Sequence, residues 1–469
     1  MNRRPHRSCG ATAALSVALL LSSCTSGTAT ANGAAGRGGV GDPLFPALGN
    51  GGYHVSHYGL DLDYDVAKQH LDATAAITAR AGQDLRSFQL DLQGLKVSGV
   101  HVDGRAADFS RKGHKLTVRP PAGLKKGATF RTTVAYSGTP QEMRDADGAW
   151  EGWIQTGHGV FVSGEPAGAM TWFPGNNHPS DKAAYDFRIT VPSGYTAVAN
   201  GELRSKREAG GQATYEWHSE EPMASYLATA TIGKFDVRES RTPQGMPLYV
   251  AVDPTEAKAS KEPLERLPEI LNWETGLFGP YPFSSAGAIV DHTPTRIDWI
   301  ALETQTKPVY ARAPHDVTVV HETAHQWFGD SVTPKTWRDT WLNEGFATYA
   351  EWLWQEHEGG RTPQQQFDKL YDSDEDNPRW DFPPGEPAKA SQVTATPVYE
   401  RGAMVLQQLR KAVGDKTFFS ILKEWPAKYR HANADSKDFI AFCQQRTDED
   451  LTDLFDDWLY GEGRPDWEY

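Results

Sequence analysis

Between about Tyr53 and Val237 apolar residues alternate with polar ones in short runs, broken repeatedly by Gly, Pro and Asp. The runs are His57 to Tyr64, Thr74 to Ala79, Phe88 to Leu92, Leu116 to Arg119, Phe130 to Tyr136, Ala184 to Val191, Thr196 to Ala199, Thr214 to His218 and Ser225 to Ile232. A period of two sends alternate side chains to one face of a strand, and short strands at this spacing predict an antiparallel β-sandwich. Near Pro247 the period changes: one more strand, Leu248 to Val252, precedes sequence with helical periodicity. Helices are expected at about 256–275, 315–330, 338–357, 399–414, 416–429, 436–446 and 449–459. The fold class is therefore α+β, a sandwich over 51–245 followed by a mainly α-helical domain over 246–469.

The start of the chain follows neither pattern. Arg3, Arg4 and Arg7 precede an apolar run from Ala11 to Leu21, the arrangement of a secretory leader. The run is shorter than the roughly 20 residues that span a bilayer. It ends in Leu21, Ser22, Ser23 and Cys24, a match to the bacterial lipobox. A lipoprotein signal peptide over 1–23 is expected, leaving Cys24 as an acylated first residue that holds the protein on a membrane. Ordinary leader cleavage, with Cys24 incidental, is the plainer alternative. Residues 24–50 are rich in Gly, Ala, Ser and Thr and read as a flexible tether. The implied location is the outer face of the bacterial cell membrane, or the extracellular space.

Composition narrows the partners. The 469 residues exceed one ordinary hydrophobic core, and fifteen Trp with seventeen Tyr call for large buried surfaces. Cys9 lies in the leader, Cys24 is claimed by lipid and Cys443 stands alone, so no disulfide framework is available. Loss of the leader removes three Arg and takes the net charge from −14 to about −17, with no basic cluster. Nucleic acid is therefore not expected as a partner, and the chain is expected to act as a monomer.

The chemistry concentrates at His321, Glu322, Thr323, Ala324 and His325, within helical sequence. Residues four apart on a helix differ by about 40° in direction and about 6 Å in height, so both imidazoles face one ion. Glu322 sits beside that ion, placed to accept a proton from a water there. Such a motif could arise by accident in a chain with fifteen His, but Glu344 follows at the start of the next amphipathic helix. A helical hairpin folds Glu344 back as a third ligand and leaves a fourth position open, the pattern of catalytic zinc. A first-turn acid favouring the helix dipole is the competing account of Glu344. Two imidazoles and a carboxylate suit one Zn2+ per chain, with cobalt or manganese as possible substitutes.

The segments HETAHQWFGD at 321–330 and WLNEGFATYAEWLW at 341–354 resemble the gluzincin zinc aminopeptidases of the aminopeptidase N family, over roughly Tyr53 to the C-terminus. Ile300, Ala301, Leu302, Glu303 and Thr304 are similar to that family's Gly-Ala-Met-Glu-Asn box, which places Glu303 at the substrate's α-amino group and Ala301 along its backbone. Ile300 and Thr304 depart from the box. Val398 to Ala403 resemble the Tyr-x-Lys-Gly-Ala stretch, which makes Tyr399 the hydroxyl that meets the oxyanion. Glu165, nine positions before Pro174, falls on a second amine anchor. The resemblance implies a thermolysin-like catalytic domain, peptides as substrates, and a short form without the family's C-terminal helical domain.

The expectation is a zinc metallo-aminopeptidase with Glu322 as general base. Two alternatives remain open: a zinc endopeptidase of thermolysin-like type, and a non-catalytic surface lipoprotein that keeps a zinc site.

Overall fold

The computed structural model describes residues 33–297, 301–374 and 376–466. The leader over 1–23, Cys24, the first part of the tether and Ile300 lie outside the described residues.

The alternating runs become long strands. Tyr53–Asp65 buries Tyr58, Leu60, Leu62 and Tyr64 on one face and leaves their neighbours on the other. It pairs antiparallel with His70–Ala81 and parallel with Lys182–Pro192, at the centre of an eight-stranded sheet. That parallel pair is a departure from the purely antiparallel sandwich expected. It arises because Lys182–Pro192 comes back to this sheet after the chain has built Trp150–Gln155 and Val160–Ser163 in a second sheet. The sheets meet through aromatic side chains, with Trp153 of the second standing edge-on to Tyr64 at 5.2 Å between centroids. Ser225 to Ile232 does not form one strand: Ser225–Leu227 is a helical turn, and the strand begins at Ala230.

The expectation of a flexible tether is corrected from residue 33 on. Ala34–Ala35 pairs with Leu85–Asp91, Arg37–Gly38 pairs with Asn50–Gly51, and Asp42, Leu44 and Leu48 are buried. Small residues here permit close packing as well as flexibility: a side chain on Gly36 would press on the backbone of Ser87 and Phe88.

The sheet of the second half, expected from 246, starts earlier. Asp236–Arg241 is its edge strand, followed in space by Pro247–Val252, Ala286–Val290, Val309–Tyr310 and Ala301–Leu302. The helices are α1 (Ala257–Glu265), α2 (Leu267–Phe278), α3 (Asp316–Ala324), α4 (Trp341–His357), α5 (Pro363–Tyr371), α6 (Gly402–Lys428), α7 (Ser436–Gln444) and α8 (Thr452–Trp458). Gly414 breaks α6 with φ 73°, which is why two helices are read there from sequence. Helix α4 is buried along most of its length, from Trp341 to Trp354 with Glu351 half-buried, and runs through the middle of the domain. No described helix is long and apolar enough to cross a membrane.

Both halves belong to one compact unit, and polar contacts lock them. Lys182 donates to the carbonyls of Asp330 and Ser331 at 2.8 and 2.9 Å, and Asp42 accepts from the Trp337 N–H at 2.9 Å while facing His178 at 3.1 Å.

Candidate metal centre and active site

Helix α3 ends at Ala324, and His325 caps it with helical backbone angles, so His321 and His325 still share one face. Their rings lie 4.8 Å apart at 75°. His321 Nδ1 is held by Glu351 Oε1 at 2.7 Å and His325 Nδ1 by the Phe328 carbonyl at 3.1 Å. With these atoms engaged, each ring turns Nε2 the other way, and both Nε2 atoms face Glu344 Oε2, at 3.3 and 3.4 Å. Glu344 comes from the first turn of α4, which packs directly against α3. Three donor atoms thus converge on one point, with their outer atoms fixed by the protein, and this donor set fits zinc.

Glu322 is buried, and its carboxylate, that of Glu303 and an His325 nitrogen lie within 4.8 Å of one another. Glu165, Glu303 and Glu344 form a third such group at the same distance. Strand Ala301–Leu302 delivers Glu303 to this cluster, and Gln326 steadies it: Nε2 donates to the Glu303 carbonyl at 3.2 Å while Oε1 accepts from the Thr306 N–H at 2.7 Å. Thr304 turns away and donates its hydroxyl to the Lys307 carbonyl, so this departure from the family box leaves the carboxylate of Glu303 in place. Glu165 arrives from the sandwich, after strand Val160–Ser163. Tyr399 stands on a π-helical turn, Pro397–Arg401, and its ring stacks on His321 at 6.1 Å and 14°.

The electrostatics follow from crowding carboxylates in a dry place. Burial pushes Glu322 up to about 8 against the pull of the two imidazoles, and raises Glu303 and, further, Glu165, which also repel each other. Burial alone would raise Glu344 as well, but His325 and His321 reverse it and hold it at about 2. Burial and the surrounding carboxylates keep the Tyr399 phenol protonated, a donor. Such a well of negative potential favours a dication and an ammonium group side by side.

The expected residues are therefore together: His321, His325 and Glu344 around one point, Glu322 and Glu303 beside it, Glu165 and Tyr399 at its edge. Glu165, Ala301 and Tyr399 also line a recess of about 750 Å3 that continues away from this point. Sequence reasoning missed Glu351, although it lies two turns after Glu344 on the same face of α4, the spacing at which a second contact with α3 is required. It also missed Gln326, which stands inside the very segment that carries the histidines.

The Peptidase M1 N-terminal domain model matches residues 54–227 and the Peptidase family M1 domain model residues 292–458. A mutant M1 zinc metallopeptidase from Deinococcus radiodurans, solved with a Tyr-Ser-Ala substrate, superposes with a TM-score of 0.84 at 28% identity, over 91% of this chain and 99% of that one. The leucyl aminopeptidase of Saccharolobus solfataricus is 23% identical over 439 residues, 88% of this chain and 54% of the relative. Aminopeptidase M1-D of Oryza sativa subsp. japonica is 27% identical over 325 residues, 64% of this chain and 37% of the relative. The chain thus spans about a third to a half of the length of these curated relatives. With both domain models matched in order, the metal donors in place and a neighbour shared over almost its whole length, the chain belongs to the M1 family, the aminopeptidase N-like gluzincins that carry one zinc per chain.

Proposed function

We propose that the protein is an aminopeptidase that hydrolyses N-terminal residues from peptides. The observation that carries this reading is the grouping of Glu165 and Glu303 against Glu344 within 4.8 Å, two carboxylates beyond those a peptide hydrolase needs for its metal and its base. Each keeps an oxygen buried and without a partner, Glu165 Oε1 and Glu303 Oε1. A substrate's α-ammonium supplies what they lack, through charge-assisted hydrogen bonds. Anchoring the terminus there leaves room for one residue before the reacting bond, which distinguishes this reading from an endopeptidase.

His321, His325 and Glu344 would hold the zinc, which when bound acts as a Lewis acid on the scissile carbonyl and makes a water acidic near neutral pH. Glu322 takes the proton of the attacking water and delivers it to the leaving amine. Tyr399 donates its hydroxyl to the oxygen that gains charge as the carbonyl is attacked. Glu351 and the Phe328 carbonyl keep the imidazoles in one tautomer and one orientation. Buried Trp327 and Phe328, packed edge-on against Phe278, keep the ligand segment from shifting.

A panel of aminoacyl-coumarin amides, free and N-acetylated, with and without a chelator, tests the reading. Cleavage of the free amides alone, lost with chelator and restored by zinc, is the expected result; equal cleavage of the acetylated amides would make the protein an endopeptidase.

We further propose that the protein works as a monomer tethered by lipid on Cys24 at the outer face of a bacterial membrane. The basic start, the apolar run and the sequence Leu21, Ser22, Ser23, Cys24 support this. Cys24→Ala is expected to release the enzyme from the membrane fraction of the producing cells; unchanged sedimentation with membranes counts against lipid attachment.

A further inference from the structure

In the sandwich the cations come no more than two in a row, so the sequence shows no basic cluster there, yet residues 96–131 hold nine Lys and Arg against two Asp and no Glu. That is a local charge of +7 in a chain of net charge −14. The fold gathers much of it at one end of the sandwich. Phe88 pairs with Val118, so Leu85–Asp91 begins where Lys115–Arg119 finishes, and Arg86 and Arg119 stand at neighbouring strand ends. His70–Ala81 finishes and Thr129–Gly138 begins at this same end, with Arg80 opposite Thr129 and Arg131 two residues on. The intervening loop, tied by a pair of Leu85 to Leu124 hydrogen bonds at 2.8 Å, adds Lys125 and Lys126. All six cations are exposed.

Asp84, Asp103 and Asp108 oppose them and leave the cations in excess. Asp84 accepts from Lys125 Nζ at 2.9 Å and from the Lys126 N–H at 2.8 Å, and Asp103 accepts from the Arg131 N–H at 2.9 Å. Phe109, opposite Val118 on the edge strand Asp108–Lys112, is 37% exposed next to the Asp108 and Arg119 pair. The described chain also starts at this end. The Ala34 N–H donates to the Asp84 carbonyl at 2.9 Å, and a Cβ on Gly33 would stand 2.9 Å from the backbone of Asp84 and Leu85. Gly33 is nine residues on from Cys24, a length of chain that spans at most about 30 Å. Tyr53–Asp65, which starts beside Ala81, carries the sandwich about 40 Å away from this end. The leash is therefore too short to turn the far end of the sandwich toward the point where Cys24 is held.

We infer that this end of the sandwich is a docking surface for the anionic phospholipid headgroups of the membrane that holds Cys24. The choice of that membrane rests on the lipid attachment proposed above, whereas the charge and its place in the fold do not. A negatively charged surface draws in cations that come within a Debye length of it, about 8 Å at physiological salt, and the leash keeps these six near that range. An exposed aromatic ring such as Phe109 suits the headgroup layer, where its apolar body is welcome. An acyl anchor and a basic patch reinforce each other, since neither alone gives lasting attachment.

The test uses Ala31–Tyr469, which forms one compact unit without Cys24, so that no acyl chain contributes. It is sedimented with vesicles of phosphatidylcholine alone or with phosphatidylcholine and phosphatidylglycerol in about equal parts. In about 0.05 M salt it is expected to partition about tenfold or more in favour of the anionic vesicles, a preference lost in about 0.5 M salt. Arg86→Glu, Arg119→Glu, Lys126→Glu and Arg131→Glu together are expected to abolish the preference, with an unchanged melting temperature to show that the variant is folded. Should that variant misfold, Arg86→Gln with Lys126→Gln is expected to lower the preference about threefold or more. Equal partition to both vesicles, no partition to either, or an unchanged preference in a folded variant overturns the inference. Duplex DNA bound as tightly as the anionic vesicles overturns it too, since the patch would then take any polyanion. Lipid on Cys24 is tested separately by the release of Cys24→Ala from membranes, and neither result decides the other.

Discussion

Gly345 and Gly402 meet backbone against backbone where α4 crosses the start of α6. A Cβ on Gly345 would stand 2.8 Å from the carbonyl carbon of Gly402, and one on Gly402 would stand 3.0 Å from the Gly345 Cα. Glu344 and the π-helical turn of Tyr399 adjoin the two glycines, so this contact sets the spacing between the proposed metal ligand and the proposed oxyanion donor. Gly345→Ala and Gly402→Ala are each expected to cost about 1–3 kcal/mol through overpacking. By moving Tyr399 away from the metal centre, each is also expected to lower kcat by about tenfold or more. Scanning calorimetry and steady-state kinetics at equal zinc content check both; unaltered kcat would show that the spacing is not critical.

Glu351 is expected to contribute to metal affinity by holding His321 rather than by binding the metal. Its Oε1 accepts from His321 Nδ1 at 2.7 Å and turns the ligating nitrogen inward. Glu351→Ala is expected to weaken zinc binding by about 10–100-fold, as loss of such partners does elsewhere. Competition with a fluorescent chelator measures it, and kcat at saturating zinc should fall far less than the affinity.

The parts of this site that share a helix or a short hairpin were legible in the sequence. His321 and His325 are fixed by helical geometry alone, and Glu344 by its place at the start of the next helix, with eighteen residues between it and His325. The sandwich was legible because strands such as Tyr53–Asp65 bury one face cleanly. What escaped were contacts that depend on packing between distant segments. Glu151 reads as one acid among several until the Glu165 loop settles on it, and residues 33–50 read as a tether because nothing local shows that Leu44 and Leu48 find a surface. The parallel strand pair escaped for the same reason, since period two reports a face and not a neighbour.

The proton and oxyanion roles separate in variants that keep the zinc. Glu322→Gln removes the proton acceptor while leaving His321, His325 and Glu344 untouched, and kcat is expected to drop by about 10²–10⁴-fold or more with the metal retained. Tyr399→Phe removes one donor and is expected to cost about 10²–10³-fold in kcat, with KM little changed. Elemental analysis beside kinetics decides each case; a near-normal rate in Glu322→Gln would contradict the role of base.

Lys307 offers a test of stability apart from catalysis. It is fully buried at the junction of the two halves, donates to the Gly201 carbonyl and lies 4.7 Å from the Trp217 ring centroid. Burial pulls its amine down to about 7, a pull that Glu202 only partly offsets. An unfolded lysine titrates at about 10.4. Between these values the unfolded chain holds a proton that the folded one has released, so this group's contribution makes stability climb as pH rises from about 7 toward 10. Below about 7 both states are protonated and the contribution is flat at its least favourable level. Lys307→Met keeps the length of the chain and removes the charge, so it is expected to stabilise the protein by a few kcal/mol near pH 7, with a shrinking advantage as pH rises. Melting temperatures of both proteins at matched pH values between 6 and 10 give the difference directly, and a difference that stays constant across that range would mean that the buried amine never loses its proton.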